Sequence, residues 1–135
     1  MSEIAVFDTS VLVDQIRTNR YLDRILKLDY VLRNCAVVFA ELRRGASSRV
    51  DRLVIDALER SHPLLTPTTN NWLESGVILA KIREDRGFEP HKLRDLHFDV
   101  LIALTARSHG ARLITSNRAD FELIRAYREF KLEVW

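Results

Sequence analysis

The sequence Ile4-Ala5-Val6-Phe7-Asp8-Thr9-Ser10 places a carboxylate directly after a short apolar run. An apolar run of this length predicts a buried β-strand, and an Asp at its end can close the strand or cap a following helix. Ser10 is available as the cap, which would leave the Asp8 carboxylate free. The stretch therefore predicts a strand and a helix with a functional acid at their junction.

Three more acids follow or interrupt apolar stretches in the same manner, namely Glu41, Asp99 and Asp120. In an open parallel sheet, residues at the carboxyl ends of the strands meet in one crevice. Carboxylates that share a crevice repel one another and need cations. Oxygen ligands without a Cys or His pattern favour magnesium or manganese. The four acids therefore predict a metal-dependent site for phosphodiester chemistry.

The remaining sequence predicts alternating strands and helices. Ala36–Phe39 is expected to form a fully apolar second strand, as in a parallel sheet covered on both faces. Further strands are predicted at residues 62–66, 112–115 and 131–134, and helices at residues 10–16, 21–28, 40–45, 49–60, 70–86, 92–108 and 121–127. Asn70 or Asn71 is expected to cap the long fifth helix. This alternation predicts an α/β fold with a parallel sheet.

Two of these helices have predicted inner faces that can be checked against the structure. The short second helix should direct inward Leu22, Ile25, Leu26 and Leu28, and the helix at 49–60 should direct inward Leu53, Val54, Ala57 and Leu58. The first two helices nevertheless carry more apolar surface than a small core accommodates, namely that of Leu12, Val13, Ile16, Leu22, Ile25 and Leu26. We expect a groove for an amphipathic partner helix between them, although burial of the same residues in the core is an alternative.

Bulk composition predicts one globular domain spanning residues 1–135. Apolar residues make up 47% of the chain and charged residues 30%, with a net charge of only +2, so overall charge does not itself indicate nucleic-acid binding. The single cysteine, Cys35, is expected to be a buried, inert thiol. No apolar run is long enough to span a membrane. Met1-Ser2-Glu3 lacks the basic residues of a signal peptide, so we expect a cytoplasmic protein.

Each acid also has a structural interpretation. A helical Asp99 has mostly apolar neighbours three and four positions away, which predicts a buried carboxylate that needs a metal or a salt bridge with Arg107 or Arg112. Glu41 could instead be a first-turn Glu that interacts with the helix dipole. Asp120 could cap the helix that follows it. For Asp99 we favour the functional interpretation.

Other polar residues are assigned supporting roles. Hydroxyl and amide side chains that could hydrogen-bond a carboxylate or a water in the site are those of Thr9, Ser10, Thr115 and Asn117. Arg43 and Arg44, just after Glu41, could contact an RNA backbone, although solvent exposure is the default for each. The four histidines lack metal-ligand spacing. No glycine-rich phosphate loop is present, which disfavours nucleotide triphosphate chemistry.

At these residues the chain resembles a PIN domain over nearly its whole length. The motifs that carry the resemblance are Val6-Phe7-Asp8-Thr9-Ser10, Ala40-Glu41-Leu42-Arg43-Arg44-Gly45, Asp99-Val100-Leu101-Ile102-Ala103 and Thr115-Ser116-Asn117-Arg118-Ala119-Asp120-Phe121. Each motif is short, but their order and spacing are specific. The compact length is most similar to that of VapC-type toxins of toxin–antitoxin pairs.

The resemblance implies a three-layer α/β/α sandwich with a mostly parallel central sheet and endoribonuclease activity with one or two Mg²⁺ or Mn²⁺ ions. It implies an acidic quartet of Asp8, Glu41, Asp99 and Asp120, with Asn117 as an alternative fourth ligand. It also implies a homodimer and a small VapB-like antitoxin as partner. A water activated by the metal would leave 5′-phosphate and 3′-hydroxyl ends on the RNA.

Competing families fit less well. Receiver domains need an early pair of acids and a late Lys, and neither is correctly placed here. Haloacid-dehalogenase-like phosphatases need a second Asp two residues after the first, where this chain has Ser10. An inactive PIN-like module that binds RNA or protein is disfavoured by the intact quartet. A housekeeping RNA-processing PIN nuclease without an antitoxin remains an alternative.

Overall fold

The computed structural model describes residues 3–135. Met1 and Ser2, on which the expectation about a signal peptide partly rests, lie outside the described residues. Five parallel strands form one sheet in the order β3-β2-β1-β4-β5. The strands are β1 Ile4–Phe7, β2 Val31–Cys35, β3 Leu64–Leu65, β4 Arg112–Thr115 and β5 Leu132–Val134. The predicted α/β sandwich with a parallel central sheet is confirmed.

Seven helices are described between and after these strands. They are α1 Thr9–Thr18, α2 Leu22–Leu26, α3 Ala36–Gly45, α4 Arg49–Ser61, α5 Thr69–Arg86, α6 Pro90–Ser108 and α7 Arg118–Tyr127. Because the strands run parallel, the elements that follow β1, β2 and β4 all begin at the same edge of the sheet. We call this edge, where the strands end, the carboxyl edge.

The prediction of a second strand at Ala36–Phe39 is wrong. These residues form the first turn of α3, and β2 precedes them at Val31–Cys35. A short apolar run does not distinguish a buried strand from a buried helix. The strand β2 was missed because Arg33 and Asn34 interrupt its apolar sequence. The Asn34 amide is satisfied there, because it donates to the Leu58 carbonyl at 2.9 Å.

The core is built around α6, which contacts α3, α5 and α7 as well as β2 and β4. Eight of its residues are buried, running from Leu96 to Ala106. A helix that is apolar on most sides is expected to be surrounded by other elements. This position fixes α6 against the sheet and places its residue Asp99 near the carboxyl edge.

Helix ends differ from the sequence prediction in a few places. Thr68, rather than Asn70 or Asn71, caps α5, and its hydroxyl accepts the Asn71 backbone N–H at 3.0 Å. Gly87 then ends α5 in the left-handed region at φ 66°, which glycine adopts without strain. Helix α6 begins at Pro90, whose missing N–H is tolerated in a first turn.

Two predicted inner faces are partly wrong. In α4, Leu53 and Val54 are 55% and 37% exposed, and Ile55 is the buried residue. In α2, Leu26 is 73% exposed and Leu22 is 40% exposed. Helical periodicity identified the apolar residues but not the direction of the core. Among residues 3–135, no helix is both long enough and apolar enough to cross a membrane.

Candidate metal and nuclease site

Four acids from different elements converge at the carboxyl edge. Asp8 follows β1, Glu41 lies in α3, Asp99 in α6 and Asp120 in α7. Burial, followed by the charges of Glu41, Asp120 and Asp8, raises the pKa of Asp99 to about 8. Charges act on a neighbour in this way only at short range. The predicted quartet is therefore brought together by the fold.

Asp8 is 2% exposed and is held by hydroxyl groups. Thr115 Oγ1 donates to its Oδ2 at 2.6 Å, and Ser10 Oγ lies 2.7 Å and 2.9 Å from its two oxygens. The Val11 backbone N–H also donates to Oδ1 at 3.2 Å. Burial raises the pKa of Asp8, and these hydrogen bonds act in the opposite direction. The carboxylate is thus fixed in place by its own chain.

The expectation that Ser10 caps α1 and leaves Asp8 free is wrong. Asp8 is itself the cap, and Ser10 lies in the first turn. Asp8 Oδ1 accepts the Val11 backbone N–H of the first turn. The Ser10 hydroxyl, which was expected to cap the helix, donates to the same Asp8 oxygen. Capping and site formation are therefore combined in one residue.

Glu41 lies in the second turn of α3, because that helix begins five residues earlier at Ala36. Its interpretation as a first-turn Glu is therefore wrong. Thr9 Oγ1 donates to Glu41 Oε1 at 2.7 Å, which joins the start of α1 to α3. Arg44 Nη2 lies 3.9 Å from Glu41 Oε2, a loose contact for a side chain that is 67% exposed.

Asp99 differs from the other acids because only burial and neighbouring charges act on it, with no hydrogen bond among residues 3–135. The alternative partners are engaged elsewhere. Arg107 Nε donates to the Glu129 carbonyl at 3.1 Å, and Arg112 Nη2 lies 3.1 Å from Glu3 Oε1. The predicted salt bridge to either arginine is therefore wrong. A desolvated carboxyl group among other acids is stabilised when a cation joins them.

Asp120 is paired inside the chain. Lys92 Nζ lies 3.0 Å from its Oδ1, and Asn117 Nδ2 donates to its Oδ2 at 3.1 Å. Asn117, not Asp120, caps α7, since its Oδ1 accepts the Asp120 backbone N–H at 3.3 Å. The charge of Asp120 is one of those that act on Asp99, and the Asn117 side chain holds Asp120 by a hydrogen bond.

The donor set suits a hard divalent cation, since it consists of carboxylates with hydroxyl support. Among residues 3–135, no three acidic, imidazole or thiol groups stand close enough to hold one ion as their side chains are oriented. Each orientation has a cause: Asp8 faces its hydroxyl donors, Glu41 faces Thr9, and Asp120 faces Lys92. A bound cation would have to compete with these donors for the carboxylate oxygens. The residues fit the cation in chemistry and in location.

The two predicted RNA contacts occupy different environments. Arg43 is bound by α4, 2.9 Å from Asp56 and 3.1 Å from Glu59. Arg44 stacks over the Phe98 ring at 5.2 Å, beside the acids. Of the two, Arg44 is the one placed to meet a phosphate near the site.

Lys92 is the site residue that sequence reasoning missed. It precedes Asp99 by seven positions in α6, which corresponds to two helical turns and places both on one face. That spacing was visible in the sequence. The pairing with Asp120, 28 residues later, depends on the tertiary fold and was not visible.

An apolar cavity of about 340 Å³ lies between α1, α2 and α4, and none of the four acids lines it. Its lining includes four of the residues predicted to form a partner groove: Leu12, Ile16, Leu22 and Ile25. Val54 and Leu58 of α4 form its other wall. Val13 and Leu26, which were also assigned to the groove, do not line it.

Comparison with known proteins gives a consistent result. The PIN domain family model matches residues 5–127. The comparison with curated protein sequences gave no match. Among solved structures, the fold is similar to a chain of DNA-bound VapBC from Salmonella typhimurium, with a TM-score of 0.74 and 22% identity over 100% of this chain and 99% of that chain.

Two further structures show the same likeness. VapBC-1 from nontypeable Haemophilus influenzae matches with a TM-score of 0.74 and 21% identity, over 98% of each chain. VapBC2 from Rickettsia felis, bound to a promoter DNA fragment, matches with a TM-score of 0.76 and 21% identity, again over 98% of each chain. At these identities the likeness establishes the fold.

Proposed function

This chain belongs to the PIN domain family, and we propose that it is a Mg²⁺- or Mn²⁺-dependent endoribonuclease of VapC type, the toxin of a toxin–antitoxin pair. The observation that carries the proposal is the acid cluster. Asp99 stands there partly buried and without a hydrogen bond among the described residues, and three acids raise its pKa. A purely structural acid would have acquired a partner within the chain.

Each residue has a defined role in this mechanism. A bound Mg²⁺ or Mn²⁺ supplies Lewis acidity, which makes a water nucleophilic near neutral pH and offsets charge on the phosphate. Asp8, Glu41 and Asp99 would hold the ion, with Asp120 at the edge of the cluster. Thr115, Ser10 and Thr9 keep two of those carboxylates oriented. Carboxylates held at one edge in this way have fewer conformations to lose when an ion binds.

Analysis of RNA ends tests this function. A metal-activated water leaves 5′-phosphate and 3′-hydroxyl ends, whereas attack by a 2′-hydroxyl leaves a cyclic phosphate. We expect ends that an RNA ligase accepts directly, and no cleavage in excess chelator. The control for a contaminating nuclease is Asp99→Asn purified in the same way, which should not cleave, whereas Asp95→Asn, 68% exposed on α6, should cleave like the unmodified chain. Cyclic phosphate ends, or cleavage that persists in chelator, would contradict the proposal.

We propose the 340 Å³ cavity as the seat of the antitoxin. The solved relatives are VapBC complexes, and the cavity offers an apolar surface to an amphipathic segment. A basic side chain on that segment could reach the neighbouring acids. We further expect a cytoplasmic homodimer, for which the exposed apolar residues Trp72, Leu73 and Val77 of α5 offer surface.

A charge in the cavity tests the antitoxin site. Leu22 lines it and is 40% exposed, so Leu22→Asp is tolerable for folding. We expect a loss of antitoxin affinity of at least tenfold. Val50→Asp is the control, because Val50 is 68% exposed and does not line the cavity. Unchanged affinity in a folded Leu22→Asp chain would exclude this cavity as the seat.

A further inference from the structure

Asp120 is the one acid of the quartet that already has a close cation. Lys92 Nζ lies 3.0 Å from Oδ1, while the nearest cation to Glu41 is 3.9 Å away on a more exposed arginine. The second Asp120 oxygen accepts the Asn117 amide at 3.1 Å. Both oxygens of Asp120 are therefore engaged by donors of this chain.

The position of Lys92 is set by the backbone. It is the third residue of α6, and Asn117, which caps α7, presents Asp120 from the opposite side. The side chains of Lys92 and Asp120 are 39% and 24% exposed. A partly exposed pair of this kind contributes little to stability. Its main effect is to place one positive charge inside a cluster of four carboxylates.

A second metal ion that used Asp120 as a ligand would have to displace Lys92 from it. Paired ions in phosphoryl-transfer sites stand roughly 3.5–4 Å apart and share carboxylates. An ammonium group at ion-pair distance from Asp120 already supplies a charge there, and it also excludes an ion sterically. Three carboxylates, those of Asp8, Glu41 and Asp99, are left for a metal.

We propose that Lys92 takes the place of a second metal ion, so that the acid cluster binds one divalent ion. Lys92 is a positioning residue in this arrangement, since it acts through Asp120. The inference rests on the proposed metal-dependent function. It adds that the number of ions is limited by a lysine of the chain and not by the number of acids.

Counting bound Mn²⁺ tests the inference without relying on activity. Free Mn²⁺ gives an electron paramagnetic resonance signal that bound Mn²⁺ loses, so a titration gives the number of ions for each chain. We expect one ion on the unmodified chain and two on Lys92→Met, which keeps the side-chain length but removes the charge. Lys92→Arg should restore one ion. The double variant Lys92→Met with Asp120→Asn should also bind one.

Lys81→Met is the matched control, because Lys81 is exposed on α5, and it should leave the count at one. If Lys92→Met does not fold by circular dichroism, Lys92→Gln replaces it in the same titration. Two ions on the unmodified chain, or one ion on the folded Lys92 variant, would overturn the inference and leave the proposed function standing. No ion on the unmodified chain would overturn the proposed function, and the inference with it.

Discussion

Carboxyl groups at the two edges of the sheet have opposite electrostatic environments, so their pKa values shift in opposite directions. At the edge where the strands begin, Glu3 lies 3.1 Å from Arg112 and 3.3 Å from Lys131. The hydrogen bond from Arg112 is the largest of the effects that lower the pKa of Glu3. At the carboxyl edge, burial and neighbouring acids raise the pKa of Asp99 to about 8. The structural acid Glu3 has two cations of the chain beside it, whereas Asp99 forms no ion pair among residues 3–135.

The sharpest test of this contrast is to neutralise each acid in turn. Asp99→Asn should lower RNA cleavage by about 100-fold or more, since it removes a ligand that acts on the transition state. The same change should stabilise the metal-free chain near neutral pH, because Asn, unlike Asp99, does not have to take up a proton on folding. Glu3→Gln should have the reverse pattern, with cleavage unchanged and stability reduced. Initial cleavage rates and thermal unfolding measure both effects.

The outcome that would break the contrast is equally specific. If Asp99→Asn destabilises the metal-free chain as Glu3→Gln does, then Asp99 has a stabilising partner, and the acid cluster is a structural network. Asp95→Asn, on the exposed side of α6, controls for the loss of any negative charge from that helix.

Metal binding should stabilise the folded chain through the acids of the carboxyl edge and not through Glu3. An ion that binds the folded chain adds RT ln(1 + [ion]/Kd) to the free energy of unfolding, about 2.7 kcal/mol at 100 times Kd. We therefore expect millimolar Mg²⁺ or Mn²⁺ to raise the melting temperature by several degrees, and Asp8→Asn to reduce that rise. Glu3→Gln should leave the rise intact. A melting temperature that does not respond to either ion would contradict a metal site at the carboxyl edge.

The dependence of the free energy of unfolding on pH gives a third, smaller effect. The pKa of Asp99 is about 8 in the folded chain and about 3.9 when unfolded. Between these values the folded chain binds more protons, so its free energy of unfolding falls as pH rises. Since Asp99 is only partly buried, we expect a fall on the order of 2 kcal/mol between pH 5 and pH 8 without metal.

Urea denaturation at several pH values measures this slope. Asp99→Asn should flatten it, and excess Mg²⁺ should do the same by favouring the ionised form. Glu3 acts in a different window: its lowered pKa gives stability that is present above its unfolded pKa and is lost as pH falls below it. A stability that rises between pH 5 and pH 8 would contradict the assignment of Asp99.

Much of this arrangement was predictable from short-range sequence signals. A carboxylate after an apolar strand identified Asp8, and the apolar neighbours of Asp99 on a helix identified a desolvated acid. The edge strand β5 and the strand β4 were also predicted where they occur. These features depend on residues only a few positions apart, which sequence patterns report well.

The helix-cap errors at Asp8 and Thr68 are local, but several of the others depend on contacts that are distant in sequence. The strand β2 contains Arg33 and Asn34, and its Asn34 is satisfied by the end of α4, 24 residues later. Lys92 pairs with Asp120 across 28 residues. Leu22 and Val54 were expected to be buried but line the cavity between α1, α2 and α4, whereas Leu26 and Leu53 are exposed outside it. Local periodicity contains no information about these partners.

The smallest predicted effect concerns the hydroxyl groups that donate hydrogen bonds to the Asp8 carboxylate and stabilise its charge as a cation would. Thr115 Oγ1 donates to Asp8 Oδ2 at 2.6 Å, and Thr115 is fully buried. Thr115→Val keeps the shape but leaves a carboxylate oxygen with one donor fewer, which should cost about 1–2 kcal/mol in the metal-free chain. Thr105→Val is the control, because the buried Thr105 hydroxyl donates to a helix carbonyl, that of Leu101 at 2.7 Å, and is not hydrogen-bonded to any of the four acids.

Saturating Mg²⁺ should reduce the cost of Thr115→Val, since a cation would then satisfy the carboxylate, and should leave the cost of Thr105→Val unchanged. Denaturation of both variants with and without metal gives the four free energies needed. If the two threonines respond alike to metal, the Thr115 hydroxyl serves packing alone. A selective response would show that hydroxyl donors and the metal ion stabilise the same charge, which distinguishes the carboxyl edge from the opposite one.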